Sequence, residues 1–319
     1  MDFKLIYTSL AKARENINSL PQHNRLGLWL NAIKCFLRYG STPSDWRFYE
    51  MYKYNHRENK EIITSRKSKK LDALFNPREY ALDFNDKVRF NTKYSKFVTR
   101  NWLHTLNKSK DEILKFIKDN REIVVKPINL SSGKGIYLYQ YDKTTIDDLI
   151  VEIHNKDYLL EEKINLIPEL SVLNPDSCQT LRIITMITRD GKVEILAAAI
   201  RVGGGSSIVD NFHSKGAAYP IDIKEGIISG LGKDLNNNYY LRHPSTGIIM
   251  PGYRIPQFDE VIKFVTEAAL QNPKARWIGW DVAITPNGCE MVEGNYLVNC
   301  NFLQTWDKQG KYNFIKSYL

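Results

Sequence analysis

The chain has 319 residues, of which 43% are hydrophobic and 25% charged, as in a globular protein with enough apolar side chains for a large core. The sequence has no run of 18 apolar residues, and its N-terminus has neither an uninterrupted apolar stretch nor a cleavage site of small residues. We therefore expect neither a transmembrane helix nor a signal peptide. The four cysteines lack metal or redox spacing, which favours free thiols in a reducing cytoplasm.

The net charge of +9 predicts anionic partners. Nucleic acid is one class of partner, and an acidic substrate together with ATP is another. Part of the excess charge lies in residues 53–70, which lack aromatic residues at the spacing of a single-strand-binding protein and also fit a solvated helical surface. We therefore predict no nucleic-acid partner. An anionic membrane surface is a further reason that a chain could carry this charge.

Residues 1–85 are predicted to be mainly helical. Apolar residues between Leu26 and Leu37 recur at a mixed helical spacing, and Gly40 ends that pattern. No strand followed by a glycine-rich turn and a helix opens the chain, which excludes a Rossmann-type start. We interpret this segment as a helical region packed on the rest of the protein, with its aromatic residues in a core.

Residues 86–140 change from helices to strands. Asp86 and Lys87 precede a helix, a second helix follows, and a strand over residues 122–127 ends near Lys126. The next loop, residues 129–135, is rich in glycine and serine, so its backbone N–H groups could hold phosphate oxygens while Lys126 supplies a charge. The Walker phosphate-loop pattern is absent, and an ordinary hairpin is the alternative interpretation.

The strand at residues 158–160 ends in Glu161, Glu162, Lys163 and Ile164, after a helix over residues 144–157. Backbone groups at such a strand end can pair with the edge of an adenine base, although many strand ends look alike. A long hairpin is then predicted over residues 177–202.

Two arginines, Arg182 and Arg201, lie on the two strands of that hairpin, and pairing through its turn brings them near one another. An arginine in an apolar strand either meets an anion or lies exposed on one face of the sheet. The following segment, residues 203–219, is rich in small residues and could close over a ligand. An amphipathic helix is predicted near residues 258–270.

The last predicted hairpin, residues 277–301, carries a candidate metal site. A three-residue turn after Thr285 would pair this residue with Cys289 and place Asp281 opposite Glu293, with Asn295 on the same face. Val282, Ile284 and Val292 would point into a core. Two carboxylates and an amide suit Mg²⁺, which also prefers phosphate oxygens and thereby suggests a nucleoside triphosphate. The alternative is a solvated hairpin face with ordinary acidic residues.

The order of these parts resembles the ATP-grasp superfamily over residues 85–305. The segments TLRIIT, AAIRVGGGSSIVDN, HPSTG, IGWDVAI and VEGN are similar to the sugar-transfer-associated ATP-grasp family. The resemblance implies an α+β class and an ATP-grasp fold, in which two α+β lobes clasp ATP. It divides the chain into a helical N-terminal region at 1–85 and an ATP-grasp domain at 86–319, with lobes at 86–160 and 161–319.

The resemblance also implies the site residues, with Arg182, Arg201 and Lys126 as catalytic groups. It assigns Lys87 and Lys126 to the ATP phosphates, Ser131, Ser132 and Gly133 to the loop over them, Glu161, Glu162 and Ile164 to the adenine hinge, and Glu169 to the ribose. It assigns Asp281, Glu293 and Asn295 to the metal, Arg182 and Arg201 to the γ-phosphate or acyl phosphate, and Asp210, Asn211, His213 and Lys215 to the acceptor.

The implied activity is an ADP-forming ligation of a carboxylate to an amine through an acyl phosphate, with ATP and Mg²⁺ as cofactors. We expect the carboxylate to be an acidic saccharide, a uronate, in capsular or surface polysaccharide biosynthesis, in the cytoplasm or at the inner face of the membrane. Two alternatives are a non-catalytic nucleotide- or glycan-binding module of the same fold and a kinase that stops at phosphorylation.

Overall fold

The computed structural model of the protein describes residues 3–21, 24–130, 134–175, 177–203 and 216–319. The helices are α1 Phe3–Asn18, α2 Arg25–Tyr39, α3 Pro43–Phe48, α4 His56–Glu61, α5 Ser65–Phe75, α6 Arg78–Asn85, α7 Lys87–Lys93, α8 Lys110–Asn120, α9 Ile146–Ile153, α10 Pro168–Ser171, α11 Phe258–Leu270, α12 Asn301–Gln304 and α13 Tyr312–Lys316. The strands are β1 Trp102–His104, β2 Glu122–Pro127, β3 Tyr137–Gln140, β4 Tyr158–Glu162, β5 Thr180–Ile187, β6 Val193–Val202, β7 Ala217–Asp222, β8 Ile227–Ile228, β9 Gly232–Lys233, β10 Tyr239–Tyr240, β11 Trp277–Thr285 and β12 Gly288–Asn295.

The N-terminal helices begin and end at residues that favour helix ends. Asn24 caps α2 by accepting a hydrogen bond from the backbone N–H of Gly27, and Gly40 ends that helix in the left-handed conformation, with φ 66°. Thr42 caps α3 by accepting a hydrogen bond from the backbone N–H of Asp45, and the Asp45 carboxylate accepts one from the backbone N–H of Thr42. The predicted helical character of this region is confirmed.

The apolar stripe of α2 is only partly packed. Leu26, Leu30 and Leu37 are 72%, 60% and 70% exposed, whereas Leu28 is 9% exposed. The mixed spacing spreads these residues around more of the helix than its neighbours cover. The core of this region forms instead around the fully buried Trp46 and its neighbours Ile17, Leu20, Leu28, Cys35, Tyr39, Met51 and Ile62.

A small antiparallel sheet has the strand order β1-β4-β2-β3. Its core is shared with α8 and α9 and contains Ile113, Ile117, Ile123, Val125, Ile146, Leu149, Ile150, Ile153 and Leu160. The predicted strands and helices of this part are confirmed. Strand β1 was not predicted, because three residues that include a histidine show no alternating apolar pattern.

A large antiparallel sheet has the order β10-β9-β7-β6-β5-β11-β12, and β8 pairs with β7. One face packs against α11 through Phe258, Val261 and Val265. The other face is covered by Phe48, Leu71 and Phe75 of the N-terminal helices and by Val298, Cys300, Phe302 and Leu303 near the C-terminus. Alternation along β5, β6 and β11 directs Arg182, Arg201 and Asp281 to this second face.

The hairpin β11–β12 places Asp281 opposite Glu293, as predicted, but by a different route. Thr285 pairs with Gly288 rather than with Cys289, so the turn is one residue shorter than predicted. A bulge at Val292 then adds one residue to β12 and restores the predicted register. The bulge also corrects the prediction for Val292, which is half-buried in a cleft wall rather than in the core, whereas Val282 and Ile284 are buried.

The predicted boundary between the lobes, at residues 160 and 161, falls within β4 of the small sheet. No helix in the described ranges combines the length and the apolar character that a bilayer crossing requires.

Candidate functional site

A cleft of about 430 Å³ collects residues from both sheets. Lys126 and Glu161 come from the small sheet, and Arg182, Arg201 and Glu293 come from the large one. Lys87 from α7 and Asn295 from the end of β12 complete the polar part of the wall. The structure therefore brings together site residues that lie up to 208 positions apart in the sequence, from 87 to 295.

Two arginines converge on the carboxylate of Asp281, which is fully buried. Arg182 holds it in a two-point contact, with Nη2 2.9 Å from Oδ2 and Nε bonded to Oδ1. Arg201 places its Nη2 2.8 Å from Oδ2. Burial opposes ionisation of Asp281, but the two guanidinium groups outweigh it and hold its pKa below the usual value. Of the two alternatives for the strand arginines, a nearby anion or an exposed position, the structure supports the first, and Asp281 is the anion.

Glu293 lies beside this cluster under a different balance of charge. It is exposed to the cleft, and among the described residues it forms no ion pair. The Nδ2 of Asn295 donates to its Oε1 at 3.2 Å, and its carboxyl lies within interaction distance of the Asp281 carboxylate. The enclosing cleft walls and the adjacent Asp281 carboxylate raise the pKa of Glu293, and the arginines offset only part of that effect.

The predicted metal ligands thus lie together but differ in availability. Glu293 and Asn295 present oxygens to the cleft, whereas Asp281 is engaged by two arginines. Three of the roughly four lone-pair positions of the Asp281 carboxylate accept from guanidinium N–H groups. The described residues contain no cluster of three or more His, Cys, Asp and Glu side chains at metal-binding spacing. The donor set is two carboxylates and one amide, which fits a cation that takes one or two protein carboxylates.

A second ionic network lies at the small-sheet side of the cleft. Glu161 is 2% exposed, and its carboxylate accepts from Arg100 Nη2 at 2.6 Å, from Asn91 Nδ2 at 3.0 Å and from Lys126. Burial opposes ionisation of Glu161, but Arg100 and Lys126 hold its pKa well below the usual range. Glu161 therefore acts through its side chain as the anchor of Lys126, in addition to its predicted place in the hinge.

Arg100 extends this network to the large sheet. Its guanidinium contacts the Glu290 carboxylate and the backbone carbonyl of Met291, while its other end contacts Glu161. Neither Arg100 nor Glu290 was predicted as a site residue from the sequence. Glu290 lies on β12, where buried and half-buried residues are mixed, so its burial gives no clear signal in the sequence.

Lys87 lies at the entrance of the glycine- and serine-rich loop. Its Nζ donates to the carbonyls of Ile128 and Leu130 at 3.2 and 3.1 Å. Burial lowers its pKa, and the nearby Glu293 offsets part of that shift. Ser131, Ser132 and Gly133 lie outside the described residues, as do Asp210, Asn211, His213 and Lys215 of the predicted acceptor segment.

A second cavity, of about 630 Å³, adjoins the first. Both are lined by Lys126, Glu161 and Val292. The second cavity has apolar walls at Val124, Leu138 and Leu166, and the predicted hinge residues Glu162, Lys163 and Ile164 at its edge. This shape suits a flat, largely apolar ring system next to a charged cleft.

The hinge leaves one backbone donor for a ligand. The N–H groups of Glu162 and Lys163 donate to the carbonyls of Asn101 and Glu122, at 2.8 and 3.1 Å. The N–H of Ile164 has no backbone partner among the described residues. Glu169, predicted at the ribose, lies exposed on α10 and lines neither cavity.

A sequence model of the family described as sugar-transfer associated ATP-grasp matches residues 66–317. No curated protein matches the chain. Similar solved structures include the ATP-grasp ligase PsnB complexed with a phosphomimetic variant of its minimal precursor, Mg and ADP (TM-score 0.44, 10% identity, 76% of this chain and 60% of that chain). Others are the ADP complex of an N5-carboxyaminoimidazole ribonucleotide synthetase (0.47, 10%, 75% and 52%) and D-alanyl-alanine synthetase A from Vibrio cholerae O1 biovar eltor (0.46, 13%, 75% and 66%).

The chain spans about half to two thirds of the length of these three structures. Their TM-scores are below 0.5 and their identities are 13% or less, so these likenesses carry no argument about function. The family match covers most of the chain, including all the strands that line the two adjoining cavities.

Proposed function

The chain belongs to the sugar-transfer associated ATP-grasp family, and from this premise we propose that it is an ATP-dependent ligase that joins a carboxylate to an amine. The observation that carries the proposal is the pair of adjoining cavities: one is apolar with a free backbone donor, and the other is lined by lysines, arginines and carboxyls. A nucleotide requires these two environments side by side.

The adenine base occupies the second cavity, between Val124, Leu138 and Leu166, and its edge pairs with the backbone N–H of Ile164. The phosphates extend into the 430 Å³ cleft, toward Lys87, Lys126 and Arg201. Lys126 is already oriented by Glu161, so its charge can act on phosphate without a costly rearrangement.

Mg²⁺ is the cofactor, held by Glu293 and Asn295, with Asp281 beside them. Two neighbouring carboxylates repel each other, which contributes to the raised pKa of Glu293, and a cation bound between them would relieve that repulsion. When bound there, Mg²⁺ would offset negative charge on the nucleotide phosphates. Because a carboxyl must be deprotonated to bind a metal, binding of Mg²⁺ at Glu293 is coupled to the release of any proton that this side chain carries.

The residues of this chain contribute position and charge rather than covalent chemistry. A substrate carboxylate oxygen attacks the γ-phosphorus, the bond to the bridging oxygen breaks, and ADP leaves. The amine nitrogen then attacks the acyl carbon, phosphate departs and the amine loses a proton. Arg182 and Arg201, held in place by Asp281, face the cleft where the acyl phosphate forms.

The carboxylate substrate is an acidic saccharide, a uronate, and the product belongs to capsular or surface polysaccharide biosynthesis. The family description, which names sugar transfer, and the net charge of +9 support this assignment. The reaction takes place in the cytoplasm or at the inner face of the membrane.

The test is ADP release from Mg-ATP with the intact protein, across a matrix of uronates and amines that includes amino acids and amino sugars. We expect release that requires both substrates, with one amide formed per ADP. A stable phosphorylated product without an amine would identify a kinase instead. Nucleotide binding without turnover for any pair would identify a non-catalytic binding module.

A further inference from the structure

A third cavity, of about 630 Å³, lies between the N-terminal helices and the large sheet. Helix α1 forms one wall with Lys12, Glu15 and Asn16, which share one face at helical spacing, and Ser19 follows directly after the helix. Ser44 and Arg47 of α3 form a second wall, and Asn236, Asn299 and Asn301 close the cavity from the other side. The walls on α1 and α3 precede residue 66, so they lie outside the range that the family shares.

The third cavity adjoins the phosphate cleft through Asn299, which lines both. Two hydrogen bonds hold the residues at this boundary. The backbone N–H of Asn301 donates to Asn299 Oδ1 at 3.0 Å, and the Tyr49 hydroxyl donates to Asn301 Oδ1. The next residue, Phe302, packs on the guanidinium of Arg182, whose Cζ lies 5.5 Å from the centre of the phenyl ring. The path from the third cavity to Arg182 and Arg201 therefore runs past Asn299.

The lining offers many neutral hydrogen-bonding groups. Among the described residues, the Nδ2 groups of Asn299 and Asn301, the side-chain amide of Asn236 and the hydroxyl of Ser44 form no hydrogen bond. Amides and hydroxyls supply donors and acceptors in the mixture that a polyhydroxylated molecule requires.

The charges of the lining are almost balanced. Lys12 pairs with Glu15 at 3.0 Å, and Asp45 is occupied by Thr42 and Ser65. Arg47 is left as the half-buried cation that has no ion pair among the described residues. A neutral hydroxyl-rich body fits here better than a polyanion or an apolar chain, while its acidic group would lie toward Arg182 and Arg201.

We propose that this third cavity binds the sugar ring of the carboxylate substrate, and that the N-terminal helices thereby select a saccharide acid over other carboxylates. The inference rests on the proposed function, because it places the acidic group of the same substrate in the phosphate cleft. It gives the helical region a role in substrate recognition.

Saturation-transfer NMR on the full chain with a non-hydrolysable Mg-ATP analogue tests this inference. The probes are D-glucuronate and D-galacturonate, with L-glutamate as a carboxylate that has no sugar ring. We expect signals from ring protons of at least one uronate and weaker or absent binding of glutamate. Ser44→Phe and Asn236→Phe, which fill the cavity from opposite walls, should each weaken uronate binding at least about tenfold, a loss of about 1.4 kcal/mol.

Ser95→Phe is the matched control, because Ser95 is exposed and lines none of the three cavities. It should bind the uronates as the wild type does. A thermal shift with the Mg-ATP analogue checks that each variant is folded. Binding of glutamate but of neither uronate, or uronate binding that both cavity variants leave unchanged, would overturn the inference. Failure of the wild type to bind the nucleotide would instead refute the proposed function.

Discussion

Two clusters of equal formal charge border the cleft, and they differ in how the charges are paired. At the small sheet, Arg100 bridges the carboxylates of Glu161 and Glu290, and Lys126 also contacts Glu161, so each acid is paired with at least one cation. At the large sheet, Arg182 and Arg201 both converge on Asp281. Glu293 is then left beside the cluster with an amide as its neighbour.

The two clusters therefore differ in burial and in how completely their carboxyls are neutralised. The first cluster is buried and both of its carboxylates are paired with cations, which makes it a joint that fixes Lys126 between the two sheets. The second cluster leaves one carboxyl under-neutralised at the surface of the cleft, where an additional cation would be stabilised. Two positive and two negative side chains therefore form a buried joint in one cluster and, in the proposed function, part of a ligand site in the other. The following predictions either sharpen this contrast or remove it.

Disruption of the buried cluster around Arg100 should have the largest effect on the free energy of unfolding. Arg100→Met leaves Glu161 and Glu290 buried without their shared partner, which should cost about 3–5 kcal/mol of the free energy of unfolding. Denaturant unfolding measures this. Lys96→Met is the matched control, because its pair with Glu267 is exposed and should contribute at most about 1 kcal/mol. Equal losses in the two variants would show that the joint is not structural.

Glu293→Gln should affect turnover rather than folding. The amide keeps the shape of the side chain and can still bond Asp281, but it cannot hold Mg²⁺ as a carboxylate does. ADP release should fall at least ~100-fold, a change of about 2.7–4 kcal/mol in activation free energy. Steady-state kinetics measure this. Near-normal ADP release in a folded variant would rule out a metal role for Glu293.

Nucleotide binding should stabilise the fold. At a concentration of Mg-ATP about 100 times its dissociation constant, the free energy of unfolding should rise by about 2.7 kcal/mol if only the folded protein binds. Thermal and chemical unfolding with and without Mg-ATP provide the measurement, and Mg²⁺ alone serves as the control. The absence of any shift at saturating Mg-ATP would count against nucleotide binding in these cavities.

The smallest expected effect is on the pH dependence of stability. The pKa of Glu293 is raised, so the folded state retains a proton that the unfolded state loses. The contribution of Glu293 to stability should therefore fall as pH rises from the unfolded pKa, about 4.3, to the folded value. Glu161, whose pKa is lowered, should show the opposite dependence and lose its contribution in acid.

The difference in free energy of unfolding between the wild type and Glu293→Gln over this pH range isolates the contribution of the Glu293 carboxyl. Without Mg²⁺, the variant should gain stability relative to the wild type as the pH rises toward neutrality. A constant difference between the two proteins would mean that Glu293 keeps an ordinary pKa.

Local patterns in the sequence were sufficient for much of the second cluster. The arginines lie in apolar strands, and such a charge needs a nearby anion, which Asp281 supplies. The placement of Asp281 opposite Glu293 was correct because two deviations cancel: a turn shortened by one residue and a bulge at Val292. A residue count alone cannot distinguish that route from a regular hairpin.

The first cluster and the third cavity depend on distant parts of the chain. Arg100 meets Glu290 across 190 positions, and Tyr49 meets Asn301 across 252, so no local periodicity relates them. Exposure of the α2 stripe was equally beyond the sequence pattern, because the number of neighbours that cover a helix is a property of the packed structure.

The most direct test of the central claim is an experimental structure of the protein with Mg²⁺ and a non-hydrolysable ATP analogue. We predict the base beside Ile164, phosphate oxygens within hydrogen-bonding distance of Lys126 and Arg201, and a metal ion bound by Glu293 and Asn295. A nucleotide located outside the two adjoining cavities, or a metal ion that contacts neither Glu293 nor Asn295, would contradict the account.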